Sequence, residues 1–150
     1  MRSQMRRRFI DSNIFIYVLF KDPRYGIACL RVLEGIEQGE EQGVTSTLVL
    51  SQVVAHLARR GKGEAIKIFI DYIRETGIEV METTFLDFIE AVAEMSRRRL
   101  NYNMWDDVVL SCQMRRAKIQ EIYTQDRDFE KVGWVKPIFP QELDNLHKIK

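Results

Sequence analysis

Four aspartates stand where side chains from separate segments could gather around a cation. Asp11 closes an apolar stretch at Phe9-Ile10. Asp126 and Asp128 follow the apolar Ile122-Tyr123-Thr124 run, and Asp107 opens another apolar segment. Carboxylates gathered in one place repel, and each resists ionising beside the others. A hard divalent cation with oxygen ligands is the usual relief. Such a cation lowers the pKa of its water and screens charge on the transition state of phosphodiester hydrolysis. Singly, each acid also fits an ordinary role. Asp11 could start a turn, Asp107 could cap a helix, and Asp126 could cap a short helix over 127–131. Acids at two strand ends and one nearby helix start are much harder to assemble by chance. No covalent nucleophile stands out, because Ser12 has no nearby histidine and neither His56 nor His147 has a triad-like setting.

The elements that must hold these acids follow from periodicity. Residues 7–11 read as a strand centred on Phe9 and Ile10, and Ser12 or Asn13 can cap a short helix over 14–20. Ile27, Leu30 and Leu33 recur at helical spacing, and Gly39 and Gly43 stop that helix. Residues 44–46 form a short extended piece. Leu48, Val49, Gln52, Val53, His56 and Leu57 share one side of a helix ending near Gly61, and Phe69 and Ile73 mark another ending at Gly77. Residues 78–81 read as a strand. Thr84 caps a helix whose apolar face is expected to hold Phe88, Ala91, Val92 and Met95, and Asp106 or Asp107 opens a helix over 109–117. Residues 121–124 and 135–139 complete the strands. Short strands alternating with helices predict an α/β fold with a parallel sheet between helical layers. In such sheets chemistry lies beyond the carboxyl ends of the strands, near a topological switch point.

The chain has 150 residues, the length of one domain. Its 45% apolar and 30% charged content is that of a globular protein, which excludes a disordered chain. A net charge of +1 excludes a histone-like polycation but leaves room for a local basic rim. Arg127, Arg115 and Arg116 are candidates for contacts to nucleic-acid phosphates, as are Arg97-Arg98-Arg99, and Tyr102 and Trp105 could stack on a base. The two cysteines, Cys29 and Cys112, read as reduced core residues of a cytoplasmic protein. The apolar run at 14–20 is too short to span a membrane, and no membrane partner is expected.

Four segments together resemble the PIN-domain family, most closely its VapC-like toxins and archaeal relatives. They are Arg8-Phe9-Ile10-Asp11-Ser12-Asn13, Thr45-Ser46-Thr47-Leu48-Val49-Leu50-Ser51-Gln52, Asp106-Asp107-Val108-Val109-Leu110 and Ile122-Tyr123-Thr124-Gln125-Asp126-Arg127-Asp128-Phe129. The resemblance runs over residues 7–139, taken as the core of a single domain at 1–150. It implies a three-layer α/β/α sandwich with a short central parallel sheet, and a metal-dependent endoribonuclease using Mg²⁺ or Mn²⁺. On the family pattern Asp11, Asp107 and Asp126 hold the metal and Thr124 hydrogen-bonds within the pocket. Spacing to Asp126 assigns the third-motif ligand to Asp107 rather than Asp106. Asp128, Asp106 and Asn13 are additional site candidates. The resemblance also implies a homodimer, with helices near 25–60 as the expected contact, and a small antitoxin protein as partner.

One position departs from the pattern. The family normally carries Glu where this chain has Gln52, which is nearly isosteric but cannot carry negative charge. Three readings fit: a naturally weak or inactive nuclease, another acid such as Asp128 in its place, or a Glu→Gln change introduced to reduce toxicity. A catalytically inactive RNA-binding or assembly module is therefore the alternative to the nuclease. Phosphotransfer fits poorly, because residues 11–13 read Asp-Ser-Asn rather than D-x-D and the acidic pair falls late, at Asp106-Asp107.

Overall fold

The computed structural model describes residues 5–149, with side chains described through residue 145. The chain runs β1 (Arg7–Ile10), α1 (Ser12–Leu19), α2 (Gly26–Glu37), β2 (Gln42–Ser46), α3 (Thr47–Arg59), α4 (Glu64–Glu75) and β3 (Glu79–Met81). It continues through α5 (Phe85–Arg98), α6 (Trp105–Arg116), β4 (Glu121–Tyr123), β5 (Lys136–Ile138) and α7 (Pro140–Ile149). The strands form one five-stranded sheet in the order β3-β2-β1-β4-β5. All pairings are parallel, with Phe9 opposite Val44 on one side and Ile122 on the other.

This order explains the layers. From β1 the chain steps twice toward one edge, through α1–α2 and then α3–α4, before crossing back through α5–α6 to enter at β4. Right-handed crossovers in opposite directions place their helices on opposite faces of the sheet. Accordingly α1 packs on α2 and α3, and α3 on α4, while α5 packs on α6. The α/β/α sandwich expected from the sequence is the fold observed. β1 and β4, which part in opposite directions, are neighbours, so their carboxyl ends form the switch point.

The core is built on the sheet. Phe9, Ile10, Val44 and Ile122 are fully buried, and Val49, Val53 and Leu57 of α3 close over them. The helix read over 48–57 thus has its predicted inner side. The extended piece at 44–46 is the end of β2, an inner strand of the sheet, and α7 follows Phe139, where the sequence reading assigned no element. α6 begins at Trp105, and neither Asp106 nor Asp107 is its cap; both lie in the first turn, where carboxylates complement the helix dipole.

α5 departs most from its sequence reading. Thr84 caps it as expected, in a capping box with Asp87. Ala91 and Met95 are buried, but Phe88 and Val92 are exposed at 37% and 47%. The inner face instead carries two acids, Asp87 and Glu94. Asp87 accepts from Arg116 through both oxygens, at 3.1 and 2.9 Å, and from Gln113 at 3.3 Å. Glu94 is shared by Arg97, Arg98 and Arg115. An apolar pattern alone could not reveal this, because the partners of Asp87 and one partner of Glu94 come from the next helix, α6. Asp87 is buried, while the Arg116 side chain reaches solvent, so truncating Asp87 removes its charge-assisted hydrogen bonds and an acceptor of buried Gln113 without stranding a buried cation. Asp87→Ala is therefore expected to lower unfolding free energy by about 1–3 kcal/mol in urea titration, and a loss below about 0.5 kcal/mol would show that Arg116 does not hold α5 to α6.

Candidate functional site

Asp11 is the first residue past β1 and is 4% exposed. Its backbone N–H donates to Tyr123 O at 3.0 Å, which carries the ladder with β4 one step beyond the strands. Both oxygens are engaged. Oδ1 accepts the Ser12 backbone N–H at 2.8 Å, and Oδ2 accepts the Thr124 hydroxyl at 2.7 Å and the Asn13 amide at 3.3 Å. Thr124 Oγ1 in turn accepts the Asp126 backbone N–H at 3.0 Å, and Asn13 Oδ1 accepts that of Gln125 at 3.2 Å. Asn13 thereby fastens the start of α1 to the loop after β4. Burial pushes the Asp11 carboxyl up to about 6, against the hydrogen bonds from Thr124 and Ser12 that favour its charged form.

In front of Asp11 stand three more carboxylates. Asp107, Asp126 and Asp128 each place one oxygen within 4.8 Å of the others. Asp126 Oδ1 accepts the Asp128 backbone N–H at 2.9 Å, an N-cap that starts a 3₁₀ turn over Arg127–Lys131. Asp107 comes from the first turn of α6. Burial, and then the charges of Asp11 and Asp126, push its carboxyl up to about 9, and Asp128 adds to the rise. A donor set made only of carboxylate oxygens suits a hard divalent cation, and a cation there would offset the mutual repulsion of these groups.

Gln52 lies outside this trio. Its Nε2 donates to Asp106 Oδ2 at 2.8 Å, and its buried Oε1 has no hydrogen-bond partner. α3 and α6 are therefore tied beside the acids by a neutral–charged pair that no motif predicts. The basic candidates are mostly committed elsewhere. Arg116 holds Asp87, Arg115 binds Glu94 at 3.0 Å, and Arg97 and Arg98 bind the same carboxylate. Arg115 and Arg116 also sit near the far end of α6, roughly 12 Å from Asp107 at 1.5 Å per residue. Arg127 adjoins Asp126 but pairs with Glu130 and Glu142 and lies 4.0 Å over the Phe139 ring. Trp105 packs against Phe88 at 5.7 Å, leaving Tyr102 as the more exposed aromatic near the acids. His56 stacks edge-on to Phe20 rather than facing the carboxylates, and His147 lies outside the described side chains. Cys29 and Cys112 are free and buried.

With this geometry in place, the family is plain. The PIN domain model matches residues 8–135, and the chain belongs to the PIN domain family. Solved structures agree in fold. The chain is similar to the VapC20 toxin of Mycobacterium tuberculosis, described as cleaving the sarcin-ricin loop, at 22% identity and a TM-score of 0.70, covering 85% of this chain and 95% of that one. A chain of the Rickettsia felis VapBC2 complex, solved on a DNA fragment from its promoter, aligns at 15% identity and a TM-score of 0.68 over 88% and 97%. A toxin–antitoxin complex from Klebsiella pneumoniae aligns at 16% identity and 0.60 over 89% and 97%. A search of curated proteins finds no significant match.

The raised Asp107 pKa fixes a sign. An acid with a folded pKa above its unfolded value of 3.8 stabilises the fold fully below that value, and loses this contribution as pH rises toward about 9. In EDTA, Asp107→Asn is therefore expected to raise Tm at pH 8 by at least about 3 °C and to flatten the fall in Tm between pH 5 and 9. An unchanged pH profile would place Asp107 outside the repelling cluster. Thr124→Val, which leaves Asp11 Oδ2 without its shortest donor, is expected to cost about 10–100-fold in Mn²⁺ affinity by calorimetry.

Proposed function

We propose that this protein is a metal-dependent endoribonuclease, the toxin of a type II toxin–antitoxin pair acting in the cytoplasm. The carrying observation is the convergence of Asp107, Asp126 and Asp128 in front of buried Asp11 at the switch point. An RNA phosphodiester is itself anionic and would be repelled by that group of carboxylates, so a cation must lie between them. Bound Mg²⁺ or Mn²⁺ would supply Lewis acidity and an activated water. Asp107 and Asp126 are the ligands the geometry favours, with Asp11 behind them as a buried negative charge oriented by Thr124 and Asn13. Asp128 takes the place of the fourth acid that Gln52 does not supply, and its backbone N–H fixes the rotamer of Asp126. Gln52 and Asp106 hold α3 against α6 at the rim of the site.

Partners follow from the surface. Leu30, Leu33 and Ile68 with Phe15, Val18 and Phe69 line an apolar groove between α1, α2 and α4, suited to an apolar segment of an antitoxin. Phe85, Phe88, Ile89 and Val92 form an exposed stripe at helical spacing along α5, a better homodimer face than the helices near 25–60. The inactive RNA-binding or assembly module remains the second reading, favoured by the Gln52 amide that is bound to Asp106.

Calorimetry with Mn²⁺ and cleavage of single-stranded RNA separate the two. Asp107→Asn and Asp126→Asn are each expected to lower kcat/KM at least about 100-fold, and EDTA to abolish cutting. Gln52→Glu sets a carboxylate against Asp106, so it is expected to cost about 1 kcal/mol of stability in EDTA and yet to tighten Mn²⁺ binding. A wild-type chain and a Gln52→Glu variant that both fail to bind Mn²⁺ and to cut RNA would sink the nuclease reading in favour of the module. Light scattering at the monomer mass of 17.7 kDa would reject the homodimer.

A further inference from the structure

At the opposite end of the sheet, where the strands begin, an open groove of about 900 Å³ is lined by Arg6, Arg7, Arg115, Lys118 and Lys136, with Trp134 at its side. The acids around it are outnumbered. Glu121 lines the groove between Arg6 at 3.9 Å and Arg8 at 3.5 Å, Glu79 pairs with Arg7, and Glu94 is shared by three arginines. Among the described residues, Lys118 and Lys136 are exposed and make no ion pair. Arg115 is held in place as well as paired: its guanidinium lies 4.4 Å from the centroid of the Trp134 ring, which Arg98 also contacts at 4.8 Å. The indole N–H donates to Ser111 O at 2.9 Å, so the ring is fixed on α6. Lys118 holds a left-handed backbone, φ 59, just past the end of α6, a place where glycine is favoured.

We propose that this groove binds the phosphate backbone of single-stranded RNA at a distance from the acids, a second contact that holds the substrate rather than cuts it. The inference rests on RNA as the substrate. A row of separated cations matches a chain of evenly charged phosphates. An acidic protein segment would also need an apolar anchor; Arg98 and Arg115 occupy the Trp134 ring and Ser111 its N–H, and the exposed large apolar side chain left among the described lining residues is Met5, against the five cations Arg6, Arg7, Arg115, Lys118 and Lys136. The groove and the acids lie at the two ends of β1, roughly 13 Å apart at 3.3 Å per residue, so one extended strand could touch both.

The test is fluorescence anisotropy with a labelled oligouridylate in EDTA, where nothing is cut. The variants are Lys118→Gly, Lys136→Gln and the pair. Lys118→Gly removes a charge while relieving the left-handed backbone, so it is expected to hold or raise Tm. The double variant is expected to bind about tenfold more weakly, with the slope of log K against log salt shallower by about 1.4, or about 0.7 for each lost contact on a single strand. Should Lys118→Gly lower Tm, Lys136→Gln alone decides, with a slope change of about 0.7. Unchanged affinity and slope overturn the proposal, as does binding of poly-glutamate in preference to the RNA. Mn²⁺-dependent cleavage of the same RNA keeps the claims apart. Cleavage by a protein whose RNA affinity ignores both lysines removes the groove and leaves the nuclease. Lysine-dependent binding without cleavage removes the nuclease and leaves the groove.

Discussion

The structure depends on burying one carboxylate, that of Asp11, where β1 meets β4. An ionised carboxyl in a protein interior is costly unless donors surround it. Here the donors come from both strands' extensions: Ser12 and Asn13 from the start of α1, and Thr124 from the residue after β4. Satisfying Asp11 therefore fixes how the two non-sequential strand ends approach each other. The same Thr124 hydroxyl that donates to Asp11 accepts the N–H of Asp126, and Asp126 accepts that of Asp128. The three acids are thus links of one hydrogen-bonded chain, and the position of each outer carboxylate follows from the inner one.

Asp107 is the exception, because it arrives from α6 rather than from a strand end. Its placement rests on how α6 is locked, and the lock is ionic. Seven consecutive residues, Val108–Met114, are buried, so α6 is covered on nearly every side. A helix buried all round has no strongly preferred rotation from hydrophobicity alone. The pairs Asp87–Arg116 and Glu94–Arg115 supply it, together with the Trp134 N–H on Ser111 O and the Gln52 amide on Asp106. Ion pairs of a buried carboxylate with a half-exposed arginine add little net stability compared with apolar packing, but they tolerate few alternative registers. Holding a repelled carboxylate in place calls for that kind of discrimination.

This division explains what the sequence could and could not show. Strand ends are local: Phe9-Ile10-Asp11 and Tyr123-Thr124-Gln125-Asp126 carry their own hydrophobic and turn signals, so the parallel sheet and the acids at its rim were legible, while a hydrogen-bonding place for Thr124 came only with the family resemblance and the tie that Asn13 makes to the loop after β4 was not foreseen. The register of α5 was not. Phe88 and Val92 fit a helical apolar stripe with Ala91 and Met95, yet the face turned inward is the one with Asp87 and Glu94. The apolar pattern of 85–98 does not announce this: Arg97 and Arg98 lie within it and bind Glu94, but the arginine that pairs with Asp87 and the third partner of Glu94 lie beyond it, at Arg116 and Arg115. The second strand was also shortened in the reading, since Gln42-Gly43 looks like a turn; Gly43 is there because a Cβ would meet Ile10 and Ile36 at about 3 Å.

Charge shows the same lesson at the scale of the molecule. A net charge of +1 suggests an electrically bland protein, and the formal sum is nearly balanced at 23 basic and 22 acidic residues. The fold separates what the sum cancels. Four aspartates collect at the carboxyl ends of the strands, while Arg6, Arg7, Lys118 and Lys136 collect at their beginnings. The separation of roughly 13 Å along a strand exceeds the Debye length of about 8 Å at physiological salt. Across solvent, each end therefore presents its own field, and the acids do not neutralise the cations. A polyanion approaching this protein meets attraction at one rim and, until a cation fills the gap between carboxylates, repulsion at the other. The parallel sheet creates that polarity, because every strand end of one kind lies on the same side.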